Sequence, residues 1–301
     1  MNSDAATAFV SACALDVAVR KPGNVSIASP GHGMSARDFL ASASAAAAPL
    51  FAAGAPVGAR IEAAVRATRA AVGCNTNLGI VLLVAPLAAA LERCASPCQP
   101  PQLRASLEAV LAALDVEDAR AAFRAIALAN PGGLGTAAEQ DVREVPTVGL
   151  RAAMRLAAHR DRIAHQYSSG YEDVFAIGLP PFFRHEPRVA MLAAFLALLA
   201  AGPDSHIVRK QGPAVAHSVT AQARTWVDRW AADARPPDAT ALAEWDDRLK
   251  AAGINPGTSA DLAVASAFVA AVTDPRIRED TFQSLARNVL AEESTLTRPS
   301  G

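Results

Sequence analysis

Lysine is nearly missing from this sequence. Of 28 basic residues only Lys21, Lys210 and Lys250 are lysine, and the rest are arginine. Aromatic residues are scarce as well, at 5%. With β-branched residues scattered too, nothing favours a sheet, and no alternating run of five or more residues reads as a strand. Charge of one sign is not in excess: 28 basic residues face 29 acidic ones, for a formal net charge of −1, and no basic block occurs. That balance argues against a nucleic-acid partner. The longest apolar runs, 80–91 and 189–201, fall short of the roughly 20 residues of a membrane span. The N-terminus has no basic stretch followed by an apolar run and a cleavage site, so a secretory signal is not expected and the cytoplasm is the expected location. Four cysteines, Cys13, Cys74, Cys94 and Cys98, are too few and too irregular for a disulfide framework. Cys94 and Cys98 lack the histidine or second cysteine pair that a metal site needs.

What is present in quantity is alanine, about a quarter of all residues and the strongest helix former. Apolar residues reach 51%, enough for a large core and too many for a disordered chain. Helical periodicity predicts helices near 3–19, 35–53, 57–72, 76–93, 102–114, 116–129, 147–159, 161–176, 187–201, 213–233, 239–252, 257–273 and 280–292. Ser35 with Asp38 has capping-box spacing, Thr147 and Asp238 follow prolines as caps, and Gly253 suits a helix C-terminus. No flexible linker divides the chain. The expectation is one all-α domain, 1–301, a bundle of about 12–13 helices.

The polar residues gather between these helices, in four segments. In Lys21-Pro22-Gly23-Asn24-Val25-Ser26, continuing to His32-Gly33-Met34, proline and glycine stop the first helix, and Lys21 is either a projecting cation or an ordinary solvated lysine. In Gly73-Cys74-Asn75-Thr76-Asn77-Leu78-Gly79 a glycine-flanked turn opens an apolar helix; its free N–H groups either receive an anion or are capped by Asn75 or Thr76. Asp204-Ser205-His206-Ile207-Val208-Arg209-Lys210-Gln211-Gly212 packs an acid, a histidine and two cations into what reads as a loop. Asn255-Pro256-Gly257-Thr258-Ser259-Ala260-Asp261-Leu262 places a Thr258 or Ser259 cap and puts Asp261 in a first helical turn. Between them, Asp161 and His165 stand four apart, on one helical face.

Taken in order, K-P-G at 21–23, N-T-x-x-G at 75–79, D-S-x-x-x-R at 204–209 and N-P-G-T-S-A-D-L at 255–262 resemble the triphosphoribosyl-dephospho-CoA synthase family. The resemblance implies an all-α enzyme that moves the 5-triphosphoribosyl unit of ATP to the 2′-hydroxyl of 3′-dephospho-CoA and releases adenine. The product is the precursor of the prosthetic group of citrate lyase and malonate decarboxylase. Such chemistry needs carboxylates or dipoles facing a cationic sugar, a proton donor to adenine, and cations or Mg²⁺ at the phosphates. The residues expected to supply these are Lys21, Arg209 and Lys210 for phosphates, with Asn75, Thr76, Asn77 and Ser259 orienting the nucleotide. Asp161, Asp204 and Asp261 would hold Mg²⁺ or face the ribose. His32 and His206, with Asp161 and Asp204, would serve catalysis. Substitution of Lys21, Asp204 or Asp261 by alanine is expected to abolish activity and leave folding intact. The partners expected are ATP, dephospho-CoA or another small acceptor, and a second copy of the chain as a homodimer.

The sequence departs from the better-known members at two places. Their N-T-H-K-G is Asn75-Thr76-Asn77-Leu78-Gly79 here, and their D-M-D run after a histidine has no acid before Asp38. The N-T-N-L-G form resembles a subgroup of archaea and methylotrophic bacteria that make pterin-type one-carbon cofactors. A related ribosyl or phosphoribosyl transfer to such an acceptor is therefore the alternative, and a non-catalytic nucleotide-binding protein is the second.

Overall fold

Where glycine, proline and cap residues punctuate the alanine-rich chain, helices begin and end. The computed structural model describes residues 2–131, 139–274 and 277. They form α1 (Asn2–Ala18), α2 (Ala36–Leu50), α3 (Val57–Val72), α4 (Leu78–Leu91), α5 (Pro100–Ala112), α6 (Val116–Ala129), α7 (Leu150–Ala157), α8 (Arg162–Ser169), α9 (Pro187–Ala201), α10 (Ser205–Gln211), α11 (Pro213–Asp233), α12 (Ala239–Ala251) and α13 (Gly257–Thr273). A π-helical turn, Val174–Gly178, and a 3-10 turn, Pro180–Phe183, precede α9. Among the described residues the extended pairings are two isolated bridges, Ser26 with Ser29 and Gly31 with Met34. The fold is all-α. The helix expected at 280–292 lies outside the described residues.

Two helices form the centre. α4 and α13 are buried nearly all round, with Leu78 to Ala88 of α4 and Leu262 to Ala271 of α13 shielded from solvent. A helix apolar on every side belongs inside a bundle. One hydrophobic cluster runs from Ala8 in α1 to Ala271 in α13 and takes in residues of most helices between them. No single described helix is long and apolar enough to cross a membrane; α9 and α10 would pass only as a pair bent by 58°.

Pro86 sits inside α4 and explains an otherwise odd segment. It has no N–H, so Leu82 O, four residues back, loses its helical donor. The hydroxyl of Tyr167 supplies the missing bond at 2.7 Å, and that of Tyr171 donates to Leu83 O at 3.0 Å. Both rings are fully buried. Placing both hydroxyls on α4 requires a break after α8: Gly170 (φ 65°) and Tyr171 (φ 59°) are left-handed, and the continuous helix expected over 161–176 divides into α8 and the π-helical turn. Tyr167→Phe strands Leu82 O in the core. The expected result is a loss of about 1–3 kcal/mol in urea unfolding.

Several caps follow the sequence. The Asp38 carboxylate accepts from Ser35 N at 2.8 Å, Asp238 accepts from Ala241 N at 2.9 Å, and Gly253 is left-handed after α12. Thr147 does not cap α7, which starts at Leu150 after Gly149; its N–H and hydroxyl are bonded to the Gln140 side chain instead. Thr258 and Ser259 do not cap α13, because Pro256 holds the cap position, and Asp261 falls beyond the first turn.

The long loop after α1 is tied to the opposite end of the chain. Gly23 N donates to Asp246 Oδ1 at 2.8 Å, and Asn24 Nδ2 donates to Asn255 Oδ1 at 3.0 Å. Lys250 reaches Ser29 O at 2.8 Å and Asp246 at 3.0 Å. Gly23 is left-handed (φ 81°), and a Cβ there would stand 2.8 Å from Pro256 Cδ, so K-P-G and N-P-G touch each other. These ties bring the first and last motifs to one place.

Candidate functional site

The four polar segments meet around one cavity of about 450 Å³. The first lends Asn24 and His32, the second Asn75, Thr76 and Gly79, the third His206, Arg209 and Lys210, and the fourth Asn255, Gly257 and Asp261. Arg160 and Asp161 stand on the wall where α8 begins. An apolar wall is added by Phe123 and Ile126 of α6, Met154 of α7 and Val142.

The buried polar atoms mark this cavity as a place for a ligand. Among the described residues, Asp16 Oδ1, Asn24 Oδ1, His206 Nε2 and Arg209 Nε are buried without a hydrogen-bond partner, and all four residues line it. Such atoms are rare in folded proteins because each costs about 1–3 kcal/mol; Asp16 Oδ1 is met by the Lys21 ammonium, and the other three call for a polar guest.

Each side chain has a local reason for its position. His32 is held at φ 57°, and its Nε2 donates to Gly23 O at 2.9 Å, a carbonyl that can only accept. Asn75 Oδ1 accepts from Leu78 N at 3.1 Å, capping α4, while Thr76 donates to Ser42 Oγ. Gly79 is required bare: a Cβ there would lie 2.1 Å from Asp261 Oδ2. Arg209 Nη1 meets Asp161 Oδ2 at 2.6 Å. Burial, with Lys210, Arg209 and His32 nearby, pushes the His206 pKa down to about 4, so its ring is neutral at pH 7. An unfolded chain takes up that proton near pH 6.5. Stability therefore falls as pH drops from about 6.5 toward 4. His206→Asn removes this component: the melting-temperature gap between wild type and variant is expected to shift by a few degrees between pH 7 and pH 4.5.

Four of the expected site residues lie behind the wall. Lys21 is fully buried; the Pro22 turn folds it back on the end of α1, where Nζ donates to Asp16 O at 2.6 Å and pairs with Asp16 Oδ1 at 3.1 Å. In this position it does not line the cavity. Asn77 accepts from Thr68 Oγ1 at 3.1 Å inside the protein. Asp204 is an N-cap: the stretch expected as a loop is helix α10, and Asp204 accepts from His206 N and Ile207 N. Its other oxygen accepts from Ser259 N at 2.7 Å and Ser259 Oγ at 2.8 Å, joining α10 to α13. Ser259 and Asp204 thereby satisfy each other.

The three aspartates expected to hold Mg²⁺ are engaged unequally by the fold. Asp204 has both oxygens engaged within the fold, and Asp161 has one on Ile163 N and Ala164 N and the other on Arg209. Asp261 alone keeps its oxygens free of described hydrogen bonds. No group of three or more metal-ligating side chains exists among the described residues. The described residues thus offer no all-protein Mg²⁺ cage. Asp161 also stands at the cap of α8 rather than inside a helix with His165, and His165 is not on the cavity wall. Away from the cavity, burial and neighbouring Cys94 push the Cys98 thiol up to about 12, so it is no reactive thiolate.

Sequence reasoning missed Asp16. It lines the cavity at 3% exposure. The signal was available: it is the single charge between Asp4 and Arg20.

Comparison with known proteins agrees with the family resemblance. A crystal structure from Archaeoglobus fulgidus, provisionally assigned as a triphosphoribosyl-dephospho-CoA synthase, superposes with a TM-score of 0.64 over 78% of this chain and 99% of its own, at 22% identity, and so shares the fold. No curated protein matches the sequence significantly. The family model for ATP:dephospho-CoA triphosphoribosyl transferase, CitG, matches residues 2–279. With that match over nearly the whole chain, the protein belongs to the CitG family of ATP:dephospho-CoA triphosphoribosyl transferases.

Proposed function

We propose that this protein transfers the 5-triphosphoribosyl unit of ATP to the 2′-hydroxyl of 3′-dephospho-CoA and releases adenine in the 450 Å³ cavity. The observation that carries the reading is the convergence of four motifs, distant in sequence, on that one cavity, whose lining residues include Asn24, His206 and Arg209 with unpartnered polar atoms. Lys210, Arg209 and Arg160 supply the cations a triphosphate needs, and Arg offers the planar fork suited to phosphate oxygens. Asn24, Asn75 and Asn255 line the cavity and would bond ribose hydroxyls. The apolar wall of Phe123, Ile126 and Met154 suits a flat base. Neutral His206, with a free Nε2, donates or accepts according to its tautomer. Because the chain's carboxylates form no magnesium cage, Mg²⁺ enters as the counter-ion of ATP.

The test is free adenine, measured by chromatography after incubating the protein with ATP, Mg²⁺ and dephospho-CoA. Adenine released only when dephospho-CoA is present supports the reading. Adenine released only with a pterin-type acceptor moves it to the alternative acceptor. ATP raising the melting temperature with no adenine under any acceptor makes the protein a nucleotide-binding module instead.

A further inference from the structure

Four aspartates line the cavity, and the fold accounts for two of them. Asp161 caps α8 and pairs with Arg209, and Asp141 accepts from Arg143 N at 3.0 Å in its own turn. Asp16 and Asp261 are left. Asp16 Oδ1 is ion-paired with Lys21 Nζ at 3.1 Å, and its Oδ2 has no described hydrogen bond. Asp261 has no described hydrogen bond, and bare Gly79 leaves room for its Oδ2. The two carboxylates come from α1 and α13, and both open to the same space.

We propose that Asp261 is the acid and Asp16 the base of the ribosyl transfer. This rests on the transferase reading above. The C1′–N9 bond of ATP breaks and its electron pair leaves with adenine, whose ring nitrogen takes the proton of Asp261. The acceptor oxygen bonds to C1′ and gives its proton to Asp16. A proton passing from Asp16 to Asp261 restores the starting state, so no further reactant is consumed.

The surroundings prepare the two groups differently. Burial pushes Asp16 up, and the Lys21 ammonium, by its charge and its hydrogen bond, pulls it back toward the ionised form. Burial pushes Asp261 well above the carboxylate range; the charges of Asp16, Asp204 and Asp161 add to this and Arg209 opposes it. Cys13, one turn before Asp16, has its thiol pushed up by burial and by both carboxylates, and stays neutral. Two carboxylates whose environments drive them apart are the arrangement by which one site holds both an acid and a base.

The experiment measures single-turnover base release with dephospho-CoA from two donors, ATP and 7-methyl-ATP. The base of the second is already cationic and leaves without an added proton. Asp261→Asn is expected to lose at least about 100-fold on ATP and to stay within about 10-fold of wild type on 7-methyl-ATP. Asp16→Asn is expected to lose at least about 100-fold on both donors. Because that change leaves Lys21 buried opposite an amide, the double variant Asp16→Asn/Lys21→Met is measured beside it and is expected to show the same loss. Equal losses by Asp261→Asn on the two donors, or near-wild-type activity of the double variant, overturn the assignment. If wild type releases no base from either donor, the transferase reading fails and takes the assignment with it; the variant-to-wild-type ratios judge the assignment only where wild type turns over.

Discussion

Replacing Gly79 by alanine is expected to lower adenine release at least about 100-fold, although one methyl group is all that is added. A Cβ at this position would lie 2.1 Å from Asp261 Oδ2 and 2.7 Å from Ile163 Cδ1. Neither distance is tolerable, so either the Asp261 carboxylate swings out of place or α4 and α8 separate. Overpacking of this kind costs about 1–3 kcal/mol. The glycine of N-T-x-x-G and the aspartate of A-D-L are therefore one device, with the first making room for the second. Gly202→Ala is the control: its φ is −176° and nothing lies within 4 Å of the added atom, so full activity and an unchanged melting temperature are expected. Adenine release by both variants, beside their melting curves, checks the pair.

Asp204→Ala is expected to act on folding, to an extent the motif alone does not suggest. The fully buried carboxylate accepts from four donors: His206 N, Ile207 N, Ser259 N and Ser259 Oγ. Removing it leaves these donors without partners and unties α10 from α13. Loss of a buried, fully bonded carboxylate costs about 3–5 kcal/mol. For a chain of this size that amounts to roughly 6–15 °C in melting temperature. The motif reading expects an inactive variant with an unchanged melting temperature, and urea unfolding decides between them. Lys21→Ala belongs with it, since the buried Asp16 would then lack its counter-charge.

The contrast between Gly79 and Asp204 shows what the sequence carries. Helices 57–72, 116–129, 187–201, 213–233 and 257–273 are legible to the residue, because proline, cap residues and periodicity act within a few positions of one another. α10 is not legible: seven residues with only Ile207 and Val208 apolar give no periodic signal, and its cap, Asp204, looks like chemistry. The break after α8 is not legible either. It answers Pro86, some 85 positions earlier in the chain, through the hydroxyl of Tyr167.

The site follows the same division. The motifs name its neighbourhood, and His32, Asn75, Thr76, Asp161, His206, Arg209, Lys210 and Asp261 do line the cavity. Lys21, Asn77, Asp204 and Ser259 carry equally telling side chains but hold the wall from behind. Which side of a turn a residue faces is set by packing partners from elsewhere in the chain. Asp16 shows the reverse case. Its local pattern says core, and only the fold brings Lys21 behind it and the cavity before it.

The central claim concerns which bond of ATP breaks, and mass spectrometry of one reaction mixture answers it. The protein is incubated with ATP, Mg²⁺ and dephospho-CoA, and the adenine-containing and CoA-containing species are weighed together. The account predicts equal amounts of free adenine and of dephospho-CoA heavier by one triphosphoribosyl unit. ADP, AMP or an adenylylated acceptor, with the base still on its ribose, would contradict it.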